Sequence, residues 1–194
     1  MSDVVIRDFA ASDLEAAGRI ALQLWGDEVP EMPEAIKPAI YRYLARYYFA
    51  PASPFNLAAE KDGALCGCLF AAFPEHARLD AAPVWQSEAE QHYFDEYRRY
   101  LDGNRLVEEK ALAENEICLL FFTSIVRGAG KKLLAELEKR LRERKISSML
   151  LWTDETCDFN YYFCHGFAEA GHFPSPGTLG GRAFETWLFR KIIQ

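Results

Sequence analysis

Apolar and polar positions along the chain repeat with two periods, and the changes from one to the other divide it into elements. Residues 4–9 read as a first strand, and Ser12-Asp13-Leu14-Glu15 sets a capping box at a helix start, with the Ser and Glu side chains each satisfying a main-chain donor. Ala17, Ile20, Ala21 and Leu24 then recur at three- and four-residue intervals, which predicts an amphipathic helix to about Leu24 with that stripe toward a core. After a loop carrying Asp27, Glu28, Glu31 and Glu34, Pro38 suits the first turn of a second helix, whose Ile40, Leu44, Tyr47 and Tyr48 share a face. Residues 56–61 and 64–73 flank Asp62-Gly63, two residues that tolerate the positive φ angles of a type I′ turn, and this predicts an antiparallel hairpin.

The pattern changes over residues 74–115. A second capping box spans residues 87–90, and Tyr93, Phe94, Tyr97 and Leu101 form a helical stripe that is expected to stop at Asp102-Gly103-Asn104. This reads as an inserted helical segment. Residues 116–123 are a nearly unbroken apolar run, the mark of a strand covered on both faces, and Arg127-Gly128-Ala129-Gly130 leads from it into a helix with Leu133, Leu134, Leu137 and Leu141 inward. Glu136 with Arg140 and Glu138 with Arg142 support that helix from its wet side, by about 0.3 kcal/mol each. A short strand at 148–153 completes a strand–helix–strand unit, which in one sheet is parallel and right-handed. A short helix at 158–165 and strands near 167–173 and 183–190 finish a mixed sheet.

Composition narrows the class. With 194 residues the expectation is a single domain, 1–194, and 50 % apolar against 26 % charged residues excludes disordered and fibrous chains. An uncharged apolar stretch such as residues 64–73 is too short for the ~20 residues a membrane helix needs. Asp3, Arg7, Asp8, Asp13, Glu15 and Arg19 interrupt the apolar core of any secretory signal, so the expected location is cytoplasmic, with no membrane partner. A net charge of -7, from 22 Lys plus Arg against 29 Asp plus Glu, disfavours a nucleic-acid partner. The five cysteines lack the paired spacing of a zinc site, so no metal is expected; Cys66 and Cys68, as strand neighbours, should point the same way.

A Gly-rich turn between a buried strand and a helix start lets main-chain N–H groups converge on an anion. Gly128-Ala129-Gly130-Lys131-Lys132 has that form, though it is neither a Walker loop, since Ile125 stands five before Gly130 and Lys132 follows Lys131, nor a dinucleotide fingerprint, whose third Gly would fall at Leu133. By itself such a turn fits a plain tight connection as well as a ligand cradle. The longer run Glu116-Ile117-Cys118-Leu119-Leu120-Phe121-Phe122-Thr123-Ser124-Ile125-Val126-Arg127-Gly128-Ala129-Gly130-Lys131-Lys132-Leu133-Leu134 resembles motif A of the GNAT N-acetyltransferases. Tyr161-Tyr162-Phe163-Cys164-His165-Gly166-Phe167 is similar to motif B of the same superfamily, and the order of elements matches outside the insertion. The sequence departs from the pattern at Ile125, where Gln or Arg is usual, at Ser124, where Pro is usual, and at Glu155 and Asp158, where motif B often opens with Asn and Ala.

The resemblance implies a mixed α/β, three-layer fold, a central mixed sheet of about seven strands flanked by helices, with the helical insertion between the third and fourth strands. It implies acetyl-CoA as cosubstrate, with the main-chain N–H groups of Gly128, Ala129, Gly130 and Lys131 on the pyrophosphate and Arg127 and Lys132 adding charge. The motif A strand would hold the pantetheine arm through main-chain groups at Phe122 and Ser124, the two phenylalanine rings being core. Glu116 corresponds to the position where several members carry a catalytic base, the alternative being a solvated carboxylate at a strand end; Asp154 and Glu155 are reserves. Tyr162 matches the tyrosine that protonates the leaving thiolate, with Tyr161 as core packing, His165 as an exposed turn residue, and Cys157 and Cys164 as buried thiols. The activity implied is acetyl transfer to a primary amine, a cationic one given the acidic 27–34 loop, directly within a ternary complex, by a monomer or homodimer. Two rivals keep part of this: an acyl-CoA sensor without turnover, and an interaction protein docking through the aromatic insertion.

Overall fold

In a computed structural model that describes residues 3–29, 32–78 and 87–193, one seven-stranded sheet is the frame on which every helix is hung. The strands are β1 (Val5–Asp8), β2 (Leu57–Lys61), β3 (Ala64–Ala72), β4 (Glu116–Ser124), β5 (Ser148–Asp154), β6 (Ala168–Pro174) and β7 (Glu185–Ile192), in the order β1-β2-β3-β4-β5-β7-β6. All neighbours are antiparallel except β4 and β5. That parallel pair is joined by helix α4 (Ala129–Glu143), the crossover that two parallel strands require. Helices α1 (Leu14–Trp25), α2 (Lys37–Tyr48) and α3 (Glu88–Ala111) cover one face with Phe9, Phe70 and Phe121, while Leu133, Leu134, Leu137 and Leu141 of α4 cover the other. The short α5 (Phe159–Cys164) lies between β5 and β6 in the chain. Among the described residues no helix is long and apolar enough to cross a membrane.

Local chemistry explains most boundaries. Asp62 and Gly63 take φ values of 53° and 77°, the left-handed pair that closes β2 on β3. The first helix is capped differently from its sequence pattern. Asp13 accepts from the Ala10 N–H at 2.9 Å and is gripped by the Arg7 guanidinium at 2.7 and 3.0 Å, so a cross-strand cation fixes the cap and the Ser12–Glu15 box is not used. Leu24, expected in the core stripe, is 39 % exposed because the last turn of α1 runs out over a cleft.

Two further expectations fail for reasons of packing. Helix α3 does not stop at Asp102-Gly103-Asn104: Asn104 is buried and donates to the Tyr100 carbonyl, Tyr47 donates to Asp102 at 2.7 Å, and Gly103 faces Pro176. Tertiary contacts there outweigh weak helix propensity. Cys66 and Cys68 point to opposite faces, because the register passes from Ala59↔Gly67 to Glu60↔Leu65 and makes Cys66 the extra residue of a bulge. Glu31 and residues 79–86 of the insertion lie outside the described residues.

Glu108, on the underside of α3, is 1 % exposed beside Cys118 and Arg78. Burial pushes its carboxyl up to about 8 despite the opposing pull of Arg78. A carboxyl raised on folding contributes stability that is complete below about 4.5 and is lost as pH climbs through about 8. The folded chain should therefore melt lower at pH 9 than at pH 6, and Glu108→Gln should flatten that dependence in a thermal-melt series; an unchanged slope would refute the assignment.

Candidate active site

The parallel pair is the place where the sheet opens. Strands β4 and β5 are in register only from Glu116↔Ser148 to Cys118↔Leu150, and beyond that point they part. On its other side β4 stays paired with β3 through a bulge that leaves Leu120 as the extra residue, since the register passes from Phe70↔Phe121 to Ala71↔Leu119. The Ile125 N–H donates to the Cys66 carbonyl at 3.0 Å, so by antiparallel alternation Thr123 and Phe121 also exchange bonds with β3. Phe122 and Ser124 therefore direct their main-chain N–H and C=O groups to the side that β5 has vacated. A ligand with an extended polar arm can take the place of the missing strand.

At the end of β4 the chain turns through Gly128, at φ 85°, into α4. The Ala129 N–H closes on the Val126 carbonyl and the Lys132 N–H on Gly128, which leaves the Gly128, Gly130 and Lys131 amides at the mouth of the turn. Arg127 and Lys131 are exposed beside them and form no ion pair among the described residues. Unpaired cations at the positive end of a helix are unfavourable until an anion sits there. Lys132 is turned elsewhere, donating to the Val4 carbonyl at 3.0 Å. A Cβ on Gly130 would come within 3.3 Å of the Phe122 ring and 3.4 Å of the Tyr161 hydroxyl, an oxygen that is buried without a partner. A cradle that a methyl group would fill, with an orphaned hydroxyl on its wall, fits a phosphate-bearing ligand. Among the described residues no group of three or more His, Cys, Asp or Glu is placed to hold a metal ion.

From this turn a cleft of about 530 Å³ runs inward along Phe122, Ser124, Val126 and Tyr161. A smaller cavity of about 110 Å³, walled by aromatic rings of α1, α2 and α3 and by β4 and β5, lies behind it. The two share Trp25, Glu28, Phe122, Thr156, Cys157 and Tyr162, and at that seam a group from one side can meet a group from the other.

Glu28 is the carboxyl at the seam. Burial, reinforced by the charge on Asp154, lifts it to about 8, against a lowering contribution from Thr156. The Thr156 hydroxyl lies 3.1 Å from Glu28 and 2.5 Å from Asp154, and Asp154 also accepts from the Thr156 N–H at 3.0 Å and from the Tyr100 hydroxyl at 2.5 Å. The result is a chain from Glu28 through Thr156 to Asp154. Tyr162 reaches both spaces, its ring stacked on Phe189 and its phenol raised by burial, so it stays protonated at neutral pH. The Cys157 thiol, raised by burial to about 12, is held protonated.

Several sequence candidates fall elsewhere. Glu116 begins β4, at the end opposite the turn, and is 2 % exposed with both oxygens on the Arg190 guanidinium, at 2.7 and 2.8 Å, and the Ala113 N–H at 2.9 Å. Burial alone would raise it, yet Arg190 and Ala113 hold it below the ordinary carboxylate range. It is an internal ion pair, not a base facing the cleft. Glu155 is tied to Arg182 and the Glu185 N–H. Tyr161 lines the cleft instead of the core, His165 stacks on its ring at 3.9 Å and contacts its carbonyl, and Cys164 is exposed. Phe121 is core, whereas Phe122 is half-buried and lines both spaces.

No family model matches the sequence, and neither does any curated protein. Solved structures do match, over nearly the whole chain. The PaiA N-acetyltransferase from Thermoplasma acidophilum, solved with coenzyme A, superposes with a TM-score of 0.56 at 16 % identity over 98 % of this chain and 99 % of its own. A protein of Desulfovibrio desulfuricans assigned to the GNAT family gives 0.58 at 12 % identity over 99 and 100 %. The ribosomal-protein-alanine N-acetyltransferase from Brucella melitensis gives 0.54 at 20 % over 97 and 99 %. The fold is that of the GNAT N-acetyltransferases. The turn at Gly128 and the strand before it are the segments to which the sequence resemblance assigns the cosubstrate.

The Glu116–Arg190 pair sets a direct test. Arg190→Met leaves a buried carboxylate without its partner and should lower stability by about 3–5 kcal/mol in denaturant unfolding. Coenzyme A affinity of the folded fraction should not change, because the pair is remote from the turn; a loss of affinity with unaltered stability would return Glu116 to the site.

Proposed function

We propose that this chain is an acetyl-CoA-dependent N-acetyltransferase that moves the acetyl group directly to a primary amine in a ternary complex. The observation that carries the reading is the seam: a phosphate-type cradle and cleft on one side, an aromatic-walled cavity on the other, and a carboxyl with a raised pKa where they meet. Acetyl-CoA supplies the activated thioester. The amides of Gly128, Gly130 and Lys131, with the side chains of Arg127 and Lys131, bind its pyrophosphate; Ala129 and Lys132 support the turn. The main-chain groups of Phe122 and Ser124 take the arm in the gap between β4 and β5, which delivers the thioester to the seam.

An ammonium must lose a proton before it can attack. Glu28 accepts that proton in this scheme, in place of Glu116. Desolvation raises a carboxyl and lowers an ammonium, so inside the seam the two approach one another and transfer between them is nearly balanced. Asp154, fixed by Tyr100 and Thr156, keeps Thr156 oriented on Glu28. Tyr162, kept protonated by its burial, gives its proton to the departing thiolate, and the proton that Glu28 has taken from the amine returns the phenolate to phenol. The protonated Cys157 thiol is a poor nucleophile, which supports direct transfer over a covalent acyl-enzyme.

Coenzyme A and acetyl-CoA should raise the melting temperature saturably, and replacing both Arg127 and Lys131 by Ala should weaken that binding by about tenfold or more. No stabilisation at millimolar ligand would remove the reading. Thiol release with an amine should rise from pH 7 to 9 with a limb near 8, below the amine's own near 10.4. Glu28→Gln should remove that limb and lower kcat by about 100-fold while leaving coenzyme A affinity intact. A variant with full kcat would dismiss Glu28 as the base, and stabilisation without thiol release from any amine would favour an acyl-CoA sensor.

A further inference from the structure

We infer that the acceptor is a primary amine carried on a compact apolar or aromatic body, seated in the inner cavity with its nitrogen toward Glu28, and not a polyamine, an aminoglycoside or a peptide terminus. The inference rests on the transferase reading above and names the substrate class of the same site.

The first observation is what lines the cavity. Trp25, Tyr41, Tyr48, Tyr97, Trp152 and Phe184 present ring faces and edges to it, and among its described lining residues there is no Lys, Arg or His. The charged side chains it has are Glu28, at the seam, and Asp154. Rings and carboxylates together favour a cation attached to a hydrocarbon body, through apolar burial and cation–π attraction at one end and ionic pairing at the other.

The second observation is what the cavity cannot satisfy. Tyr41 already donates to the Trp25 carbonyl, Tyr100 to Asp154, and Thr156 lies on both Asp154 and Glu28. Asp154 accepts from Tyr100 and from both the hydroxyl and the N–H of Thr156. The Thr153 hydroxyl is buried without a partner and Tyr48 and Tyr97 add single hydroxyls, but the lining holds no side-chain amide and no basic group, so the many polar groups of a sugar or peptide would outnumber the partners offered, and each unpaired one would cost about 1–3 kcal/mol. A second ammonium of a polyamine would be buried among rings with only Asp154, already engaged by three donors, to meet it, and desolvating a second charge is costlier than burying hydrocarbon.

Size points the same way. At about 110 Å³ the cavity suits one ring or a short branched chain, and the connection between β6 and β7, through Leu179 and Phe184, walls its far side. Leu179 and Phe184, 7 % and 3 % exposed, close it there, so an elongated acceptor would have to extend out through the cavity's open side.

Calorimetry on the coenzyme A complex and thiol release from acetyl-CoA test the inference together, with 2-phenylethylamine, cyclohexylmethylamine, spermidine, kanamycin and an alanine-initiated hexapeptide as probes. The two apolar amines should bind the complex saturably and show kcat/KM at least about 50-fold above the other three. Trp152→Ala, whose side chain lines the inner cavity alone, should raise KM for 2-phenylethylamine about tenfold and leave coenzyme A affinity unchanged. Saturable coenzyme A binding with no binding of the apolar amines, or equal or better turnover of spermidine, kanamycin or the peptide, overturns the acceptor class while sparing the transferase reading. Failure to bind coenzyme A at all overturns both.

Discussion

The arrangement depends on one broken hydrogen-bond ladder. Two parallel strands that pair for three residues and then separate leave main-chain donors and acceptors of β4 facing a gap, and buried main-chain polar groups demand partners. Water or a ligand must provide them. Because the antiparallel ladder to β3 continues past the bulge on the opposite side of β4, the open edge runs on to the Gly128 turn. Cradle, cleft and inner cavity are successive stretches of that one opening.

Charge is divided along it. Along the opening, two cations that form no ion pair among the described residues, Arg127 and Lys131, stand at a helix start where the helix dipole opposes them, and two carboxyls, Glu28 and Asp154, stand in the interior. The two ends of the opening therefore suit a phosphorylated substrate and a cationic one. Between them, burial tunes Glu28, Tyr162 and Cys157 in the same direction, and the consequence differs with the group. The carboxyl is poised near neutrality, while the phenol and the thiol stay protonated.

The sequence carries those parts of the fold whose causes are local. Asp62-Gly63 sets a hairpin, the leucine stripe sets α4, and the apolar runs on either side of it require a parallel crossover. The resemblance names Phe122 and Ser124 on the strand before the turn, and the Ile125–Cys66 hydrogen bond fixes that these two residues face the open edge. Features set by distant contacts are not written locally. Arg7 selects Asp13 over Ser12 for the helix cap, Tyr47 and Pro176 carry α3 through Asp102-Gly103-Asn104, and a bulge turns Cys66 away from Cys68. Glu116 and Glu28 show the limit for the site. Both are acidic residues at element ends, and only the third dimension reveals that one is clasped by Arg190 and the other faces the seam; the cluster of acids after α1 was the signal available for Glu28.

Gly177 gives the acceptor side an unusual rigidity. It packs so close to α3 that a Cβ there would lie 2.7 Å from the Tyr100 Cα, and the neighbouring Thr178 hydroxyl and Gly181 N–H both donate to Glu96 of the same helix. Backbone riding on backbone leaves no slack for insertions in this connection without tilting the helix that holds Tyr100 on Asp154. Exchanging side-chain bulk at Leu179 and Phe184, residue by residue, would then reshape the inner cavity while the chain path itself stays a fixed rail.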